Sequence, residues 1–269
     1  MATVSVLIPA FNEEQTIREV LERVRSAPTG DLQRQVIVVD DGSSDRTWQL
    51  AHSLDWPELV LVRHETNRGK GWAIRTALAH ATGDYAIVQD ADLEYSPSDY
   101  PALLSPLLSG RSQVVYGSRF AVSGGTAPGY PAMHRLGVRL LNLAVRVLYG
   151  GRTTDEATCY KAFRLDLLRG IPLDCERFEF CPEITAKTLR KGLEIHEVPI
   201  TFFPRTRHDG KKIRWHDGCV ALRTLWRYRN WEPGPTLPTP TRQTRASQGV
   251  QSNPAGTLSH GGHAPNRQP

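Results

Sequence analysis

The chain has 269 residues, 39% hydrophobic and 23% charged, the balance of a globular protein with a sizeable core. Its 33 Lys and Arg exceed its 28 Asp and Glu by five, too small a surplus for a protein that coats nucleic acid. No apolar run approaches the ~18–20 residues of a membrane-spanning helix. The four cysteines include no C-x-x-C pair and make no disulfide framework, so a reducing cytoplasm is expected.

The opening MATVSVLIPAFNEE lacks a basic start and a cleavage site and reads as a strand running into a helix, not as a secretion signal. Residues 4–9 form a short β-branched run, the pattern of a strand covered on both faces. A helix is expected from about 13 to 25, with Ile17, Val20, Leu21 and Val24 on one face and Asn12 as N-cap. Strands follow at 36–40, 59–63, 85–89 and 114–116, and helices at 45–54, 70–81 and 97–108, the last with Pro in its first turn. This alternation predicts an α/β fold with a Rossmann-like open sheet, mostly parallel, and helices on both faces. After Trp231 the composition changes: residues 232–269 carry seven Pro and no Phe, Trp or Tyr, so a disordered tail is expected behind a folded domain over 1–231.

In such sheets ligands bind beyond the carboxyl ends of the strands. Three predicted strand ends carry acids: Glu13 after the first, Asp40, Asp41 and Asp45 after the second, and Asp90, Asp92 and Glu94 after the 85–89 strand. Brought to one edge they would repel, so the edge calls for a cation or strong donors. Asp90 and Asp92 stand two residues apart, a spacing that lets both carboxylates face one point around a tight turn and suits Mg²⁺ or Mn²⁺ that also binds phosphate. A lone D-x-D is more often a turn former, and Asp45 before a helix reads as a cap. No G-x-G-x-x-G follows the first strand, and Asn67–Gly71 lacks the phosphate-loop pattern.

Together these residues resemble the family 2 glycosyltransferases of GT-A fold. The 4–12 start, DDGSSDRT, NRGKG and the DAD turn stand in that family's order. GSRF (117–120), CYKAFR (159–164), FEFCPEITAK (178–187) and EVPITFFPR (197–205) are similar to the polyprenyl-phosphate sugar synthases of the dolichyl-phosphate mannose or glucose type. The resemblance implies that Pro9, Ala10, Phe11, Glu13, Val39, Asp41, Lys70 and Ala91 bind the nucleotide. It implies that Asp90, Asp92 and Glu94 hold the metal and that Arg119, Arg135, Arg205 and Lys211 meet the acceptor phosphate. Asp90, Asp92, Arg119, Arg205 and Lys211 would then form the catalytic set. The mannose synthases often have Gln where this chain has Glu94, which bears on the donor sugar.

The expected reaction is a metal-dependent, inverting transfer of a hexose from GDP-mannose or UDP-glucose to polyprenyl phosphate. A phosphate monoester oxygen is already ionised and attacks without a general base. If the acceptor is instead a hydroxyl of a soluble molecule, a base is needed, and Glu179 and Glu183 are the candidates. Glu183 also reads as a helix-start residue after Pro182. A non-catalytic nucleotide-sugar-binding subunit would have no need of the acidic pair.

From Thr201 to Glu232 eight Lys and Arg face three acids, a local surplus that suits a phosphate-bearing acceptor and not nucleic acid. On a helical wheel Arg135, Arg139, Asn142 and Arg146 form one stripe among leucines and valines, and residues 220–231 mix Trp226, Tyr228 and Trp231 with arginines. Such helices lie in a membrane interface or pack on the domain. Many relatives of the synthase type carry C-terminal membrane helices where this chain has a polar tail. Peripheral binding at the inner face of the membrane and a water-soluble acceptor both stay open.

Overall fold

The computed structural model describes residues 1–121, 132–205 and 215–234. Lys211 and most of the 232–269 segment lie outside the described residues. Short β-branched runs form the centre of the sheet: β1 (Thr3–Ala10), β2 (Gln33–Asp40) and β4 (Tyr85–Val88). Val4, Val6, Leu7, Ile8, the 36–39 valines and isoleucine, and 86–88 are fully or almost fully buried. These strands need apolar residues at nearly every position because both faces are covered.

The order across the sheet is β3-β2-β1-β4-β6-β5-β7, with β3 at Leu59–Arg63, β5 at Val114–Ser118, β6 at Lys161–Arg164 and β7 at His196–Pro199. All neighbours run parallel except β6, which is antiparallel to both β4 and β5. The GT-A prediction of a mixed, mostly parallel sheet therefore holds. The strand order steps one way from β1 to β3, then reverses to β4. Right-handed crossovers put the helices of the two directions on opposite faces. α1 (Ile17–Ser26) and α2 (Thr47–His52) serve the first direction, and α3 (Lys70–His80) crosses back over β1 and β2.

α1 buries the four apolar residues its periodicity named. Its N-cap, however, is Thr16 and not Asn12. Asn12 adopts φ 50, and its Oδ1 accepts from the Ser44 amide (2.9 Å), so it staples the first loop to the second. The predicted 97–108 helix opens as a single 3-10 turn, Pro97–Asp99, before α4 (Tyr100–Leu108). β6 and β7 were not predicted. At four residues each they are too short for a period to show.

The second half adds α5 (Ala132–Tyr149), α6 (Leu165–Arg169), α7 (Phe180–Arg190) and α8 (Trp215–Tyr228). Leu141 and Val145 of α5, Ala186 of α7, and Leu225 and Tyr228 of α8 form a small apolar cluster of their own.

Candidate active site

The reversal between β1 and β4 creates the crevice in which doubly wound sheets bind ligands. Parallel register brings the strand ends level: Ala10 pairs with Asp40 and Leu7 with Val88. The Asp41 amide donates to Ala10 O (2.8 Å) and that of Gln89 to Leu7 O (2.9 Å), extending the ladder to the acidic residues. Pro9, Ala10, Phe11, Val39, Asp41, Asp90 and Ala91 thus stand along one edge.

The loops there are laced together. The Asn12 amide donates to Ser43 Oγ (2.9 Å), that of Glu13 to Thr47 Oγ1 (2.8 Å) and that of Glu14 to Asp45 Oδ2 (3.1 Å). Asp45 also accepts from the Thr47 amide (2.9 Å), which closes the turn ahead of α2; the N-cap position itself is held by Arg46. Thr16 Oγ1 ties α1 to the acidic turn through Ala91 O (2.7 Å). Gly42 (φ 71) packs backbone to backbone on the 64–69 loop: a Cβ there would stand 2.6 Å from the Thr66 carbonyl carbon. Gly69 (φ 98) likewise has no room for a Cβ against the Glu176 carbonyl.

At the end of β4 the carboxylates are clasped by side-chain cations. Lys70 Nζ lies 2.5 Å from Asp90 Oδ1; partial burial on its own would lower the ammonium, but that pairing holds it well above the usual range. Arg205 reaches Asp92 Oδ2 (2.6 Å) and Glu13 Oε2 (3.1 Å), while its amide donates to Glu94 Oε1 (2.9 Å). Burial, then the charges of Asp90 and Glu94, push the Asp92 carboxyl up to about 7 even with Arg205 alongside. Leu93 between them adopts φ 61, a left-handed conformation that costs about 1–3 kcal/mol in a bulky residue and re-aims the turn. Among the described residues no three Asp, Glu, His or Cys side chains form a ready-made ion site, and Lys70 and Arg205 stand against the acids instead.

Four other candidate residues, Arg119, Glu183, Glu179 and Arg135, have partners or positions away from the acidic turn. Arg119 is turned inward: Nε and Nη2 form a fork on buried Asp155 (2.7 and 2.6 Å), and its backbone amide adds a third bond to the same carboxylate (3.0 Å). Glu183 is buried and fully engaged, accepting from the Asp174 and Cys175 amides (2.8 and 2.7 Å) and from Lys187 Nζ (2.5 Å). It anchors the loop before α7. Glu179, half-exposed at the N-cap of α7, accepts from the Arg177 amide (2.9 Å). Arg135 lies half-exposed in the first turn of α5, and no described contact brings it to the acidic turn.

Two structural supports escaped sequence reasoning. Glu197 of β7 accepts from Thr153 Oγ1 (2.6 Å) and from the amides of Thr154 and Asp155, which fixes the loop that holds Arg119. Tyr95 packs against Tyr160 and Phe202, docking the segment before Arg205 onto the acidic turn. The acid pair Asp155-Glu156 just before CYKAFR was the available signal for the first.

Comparison with known proteins agrees with this architecture. Residues 5–171 match Glycosyl transferase family 2. The chain is 31% identical over 239 residues to the dolichol-phosphate mannosyltransferase of Pyrococcus furiosus, covering 85% of this chain but only 64% of that one. It is 33% identical over 218 residues to the undecaprenyl-phosphate mannosyltransferase of Micrococcus luteus, covering 77% and 86%. The structure superposes on glucosyl-3-phosphoglycerate synthase from Mycobacterium tuberculosis in complex with Mg²⁺ and uridine diphosphate, with TM-score 0.65, 25% identity and coverage of 87% and 81%. An open sheet of GT-A type, acids at its switch point and a family match over more than half its length make this chain a member of glycosyl transferase family 2.

Proposed function

We propose that this glycosyltransferase moves a hexose, with inversion, from a nucleotide-diphosphate sugar to polyprenyl phosphate, with Mg²⁺ or Mn²⁺ as cofactor. The observation that carries this reading is the trio Asp90, Asp92 and Glu94, crowded enough to raise Asp92 to about 7 and met by two cationic side chains. Hard oxygen donors at that density fit a divalent ion, which when bound would offset charge on the leaving diphosphate. Asp90, Asp92 and Glu94 would hold it. Arg205 would then be released toward phosphate oxygens, for which a planar fork is well matched. Asp41 would read the base, and Arg119 would act as a buried brace and not as a phosphate ligand. Lys211, in the basic segment that follows Arg205, is proposed as a second phosphate contact.

A phosphate acceptor fits without assigning a general base, because its oxygen is already ionised. The polyprenyl part of the proposal draws on an apolar face. Leu136, Leu140, Leu143 and Val147 on α5, and Leu222 and Trp226 on α8, are exposed, Val147 to 73% and Trp226 to 57%. A groove of about 370 Å³ runs between the two helices. Arg139 and Arg146 of α5 and Arg223 and Arg227 of α8 are exposed on the same two helices, and α5 carries no acid. Apolar surface on arginine-bearing helices suits an anionic headgroup layer. Among the described residues no helix is long and apolar enough to cross a membrane. On the strength of the apolar, arginine-bearing face, we propose peripheral binding at the inner face of the membrane.

The test is turnover of GDP-mannose, UDP-glucose and UDP-GlcNAc with Mg²⁺ or Mn²⁺, each with and without a short polyprenyl phosphate. Nucleotide release that requires the lipid phosphate is expected. Release indifferent to it would move the acceptor to a soluble hydroxyl compound and the search for a base to Glu179. Asp92→Asn is expected to lower turnover about a hundredfold or more, and Mn²⁺ binding followed by electron paramagnetic resonance should weaken in parallel. Unchanged Mn²⁺ binding would remove Asp92 from the ion site.

A further inference from the structure

Asp41 does not face the base pocket with a whole carboxylate. An ionised carboxylate offers about four lone-pair positions. His64 Nδ1 (2.7 Å) and the Arg68 amide (3.0 Å) occupy Oδ1, and the Gly69 amide (2.7 Å) occupies one position on Oδ2. A carboxylate only accepts, so the proton on His64 sits on Nδ1. Nε2 is held in turn by Thr76 Oγ1 (3.0 Å). The loop that supplies these donors is fixed: Gly42 packs on Thr66 and Asn67, Gly69 on Glu176, and the Arg68 guanidinium lies over the Trp72 ring at 3.9 Å. One acceptor position is left, on Oδ2, in a side chain of which 3% is exposed.

From this geometry we propose that His64 is a positioning residue that restricts Asp41 to a single acceptor and so makes the donor a uridine and not a guanosine nucleotide. The inference rests on the reading of Asp41 as the base contact. Uracil presents one ring N–H, N3–H, between two carbonyls, which matches one acceptor. Guanine presents two adjacent donors, N1–H and an N2–H, which call for both carboxylate oxygens. With Oδ1 filled by His64 and Arg68, guanine would bury a donor without a partner, a penalty that corresponds to about ten- to a hundredfold in affinity. Adenine and cytosine present a ring nitrogen lone pair at the same place and would meet the carboxylate with repulsion.

Calorimetric binding of UDP and of GDP, each with Mg²⁺, to the full chain and to three variants tests this. The unaltered chain should bind UDP about ten- to a hundredfold more tightly than GDP. Asn places an N–H near the position of the imidazole Nδ1, so His64→Asn should keep most of that preference. Gln reaches the Nε2 position instead, so His64→Gln frees one acceptor position on Oδ1 beside the Arg68 amide, and UDP and GDP affinities should converge. GDP binding as tight as UDP binding in the unaltered chain overturns the inference, and so does a His64→Gln ratio equal to the original. Asp41→Ala separates the two levels of the argument. If it leaves UDP affinity unchanged, Asp41 is not the base contact and the site reading fails first. If it abolishes UDP binding while His64→Gln does not alter the ratio, the site reading stands and the role given to His64 falls.

Discussion

Single residues in this fold carry chemistry that their neighbours in sequence do not disclose. Glu156 is fully buried, and burial outweighs the nearby Lys161 ammonium, raising its carboxyl to about 7 from an ordinary 4.5. An acid with a raised folded value keeps its proton longer in the folded chain than in the unfolded one. Its effect is therefore absent below about pH 4.5 and becomes destabilising as pH rises toward 7, reaching about 3 kcal/mol above that. Glu156→Gln is expected to leave stability near the original at pH 4.5 and raise it at pH 8, as read by urea unfolding at the two values. A variant no more stable at pH 8 than the original chain would show that Glu156 is already compensated when charged. Arg119 and Asp155 show the opposite balance: both are buried, but fork geometry and a backbone donor satisfy the pair.

At the scale of elements, α5 shows why a wheel alone does not say which way a helix faces. The sequence places Arg135, Arg139, Asn142 and Arg146 on one stripe, as if Asn142 belonged to a wet face. In the structure Asn142 turns to the 154–156 loop, donating to Thr154 O (2.7 Å) and accepting from the Glu156 amide (2.9 Å). Val138, Leu141 and Val145 go inward, and Leu136, Leu140, Leu143 and Val147 stay out. That exposed row recurs at three- and four-residue steps, a seam that needs a partner surface. A second copy of the same face would bring arginines together with no acid on α5 to meet them, which favours anionic lipid. Replacing Leu140 and Leu143 by Glu is expected to leave the melting temperature within a few degrees while reducing sedimentation with phosphatidylglycerol vesicles several-fold. Undiminished sedimentation would place the lipid contact elsewhere.

For the whole molecule, the described residues belong to one compact unit, Met1–Leu237. A chain shortened after Gly234 is therefore expected to keep its melting temperature and its UDP affinity. A loss of either would give the Pro-rich segment a part in the fold or the site. The strand reversal between β1 and β4 accounts for the position of the site, and the antiparallel β6 accounts for how the second half reaches it. β6 sits between β4 and β5, and Tyr160 just before it packs on Tyr95 beside the acidic turn, while β7 brings Glu197 to the 153–155 loop and leads to Arg205.

The central strands and their acidic ends were legible in the sequence because burial on both faces demands continuous β-branched runs and because turns after parallel strands gather the ligand-binding groups. The same local rules named α1, α3 and β3 to within a residue or a turn. They could not show what each acid meets. Asp155 finds Arg119 across 36 residues, and Arg205 finds Asp92 across 113. His64 reaches Asp41 because β3 pairs with β2 in a register that sets Arg63 beside Asp40. Local sequence determined which groups stand at the strand ends, since that depends on the pattern of neighbours along the chain. Tertiary structure alone decided which of their lone pairs and charges remain free, since partners distant in sequence meet only when the sheet has closed.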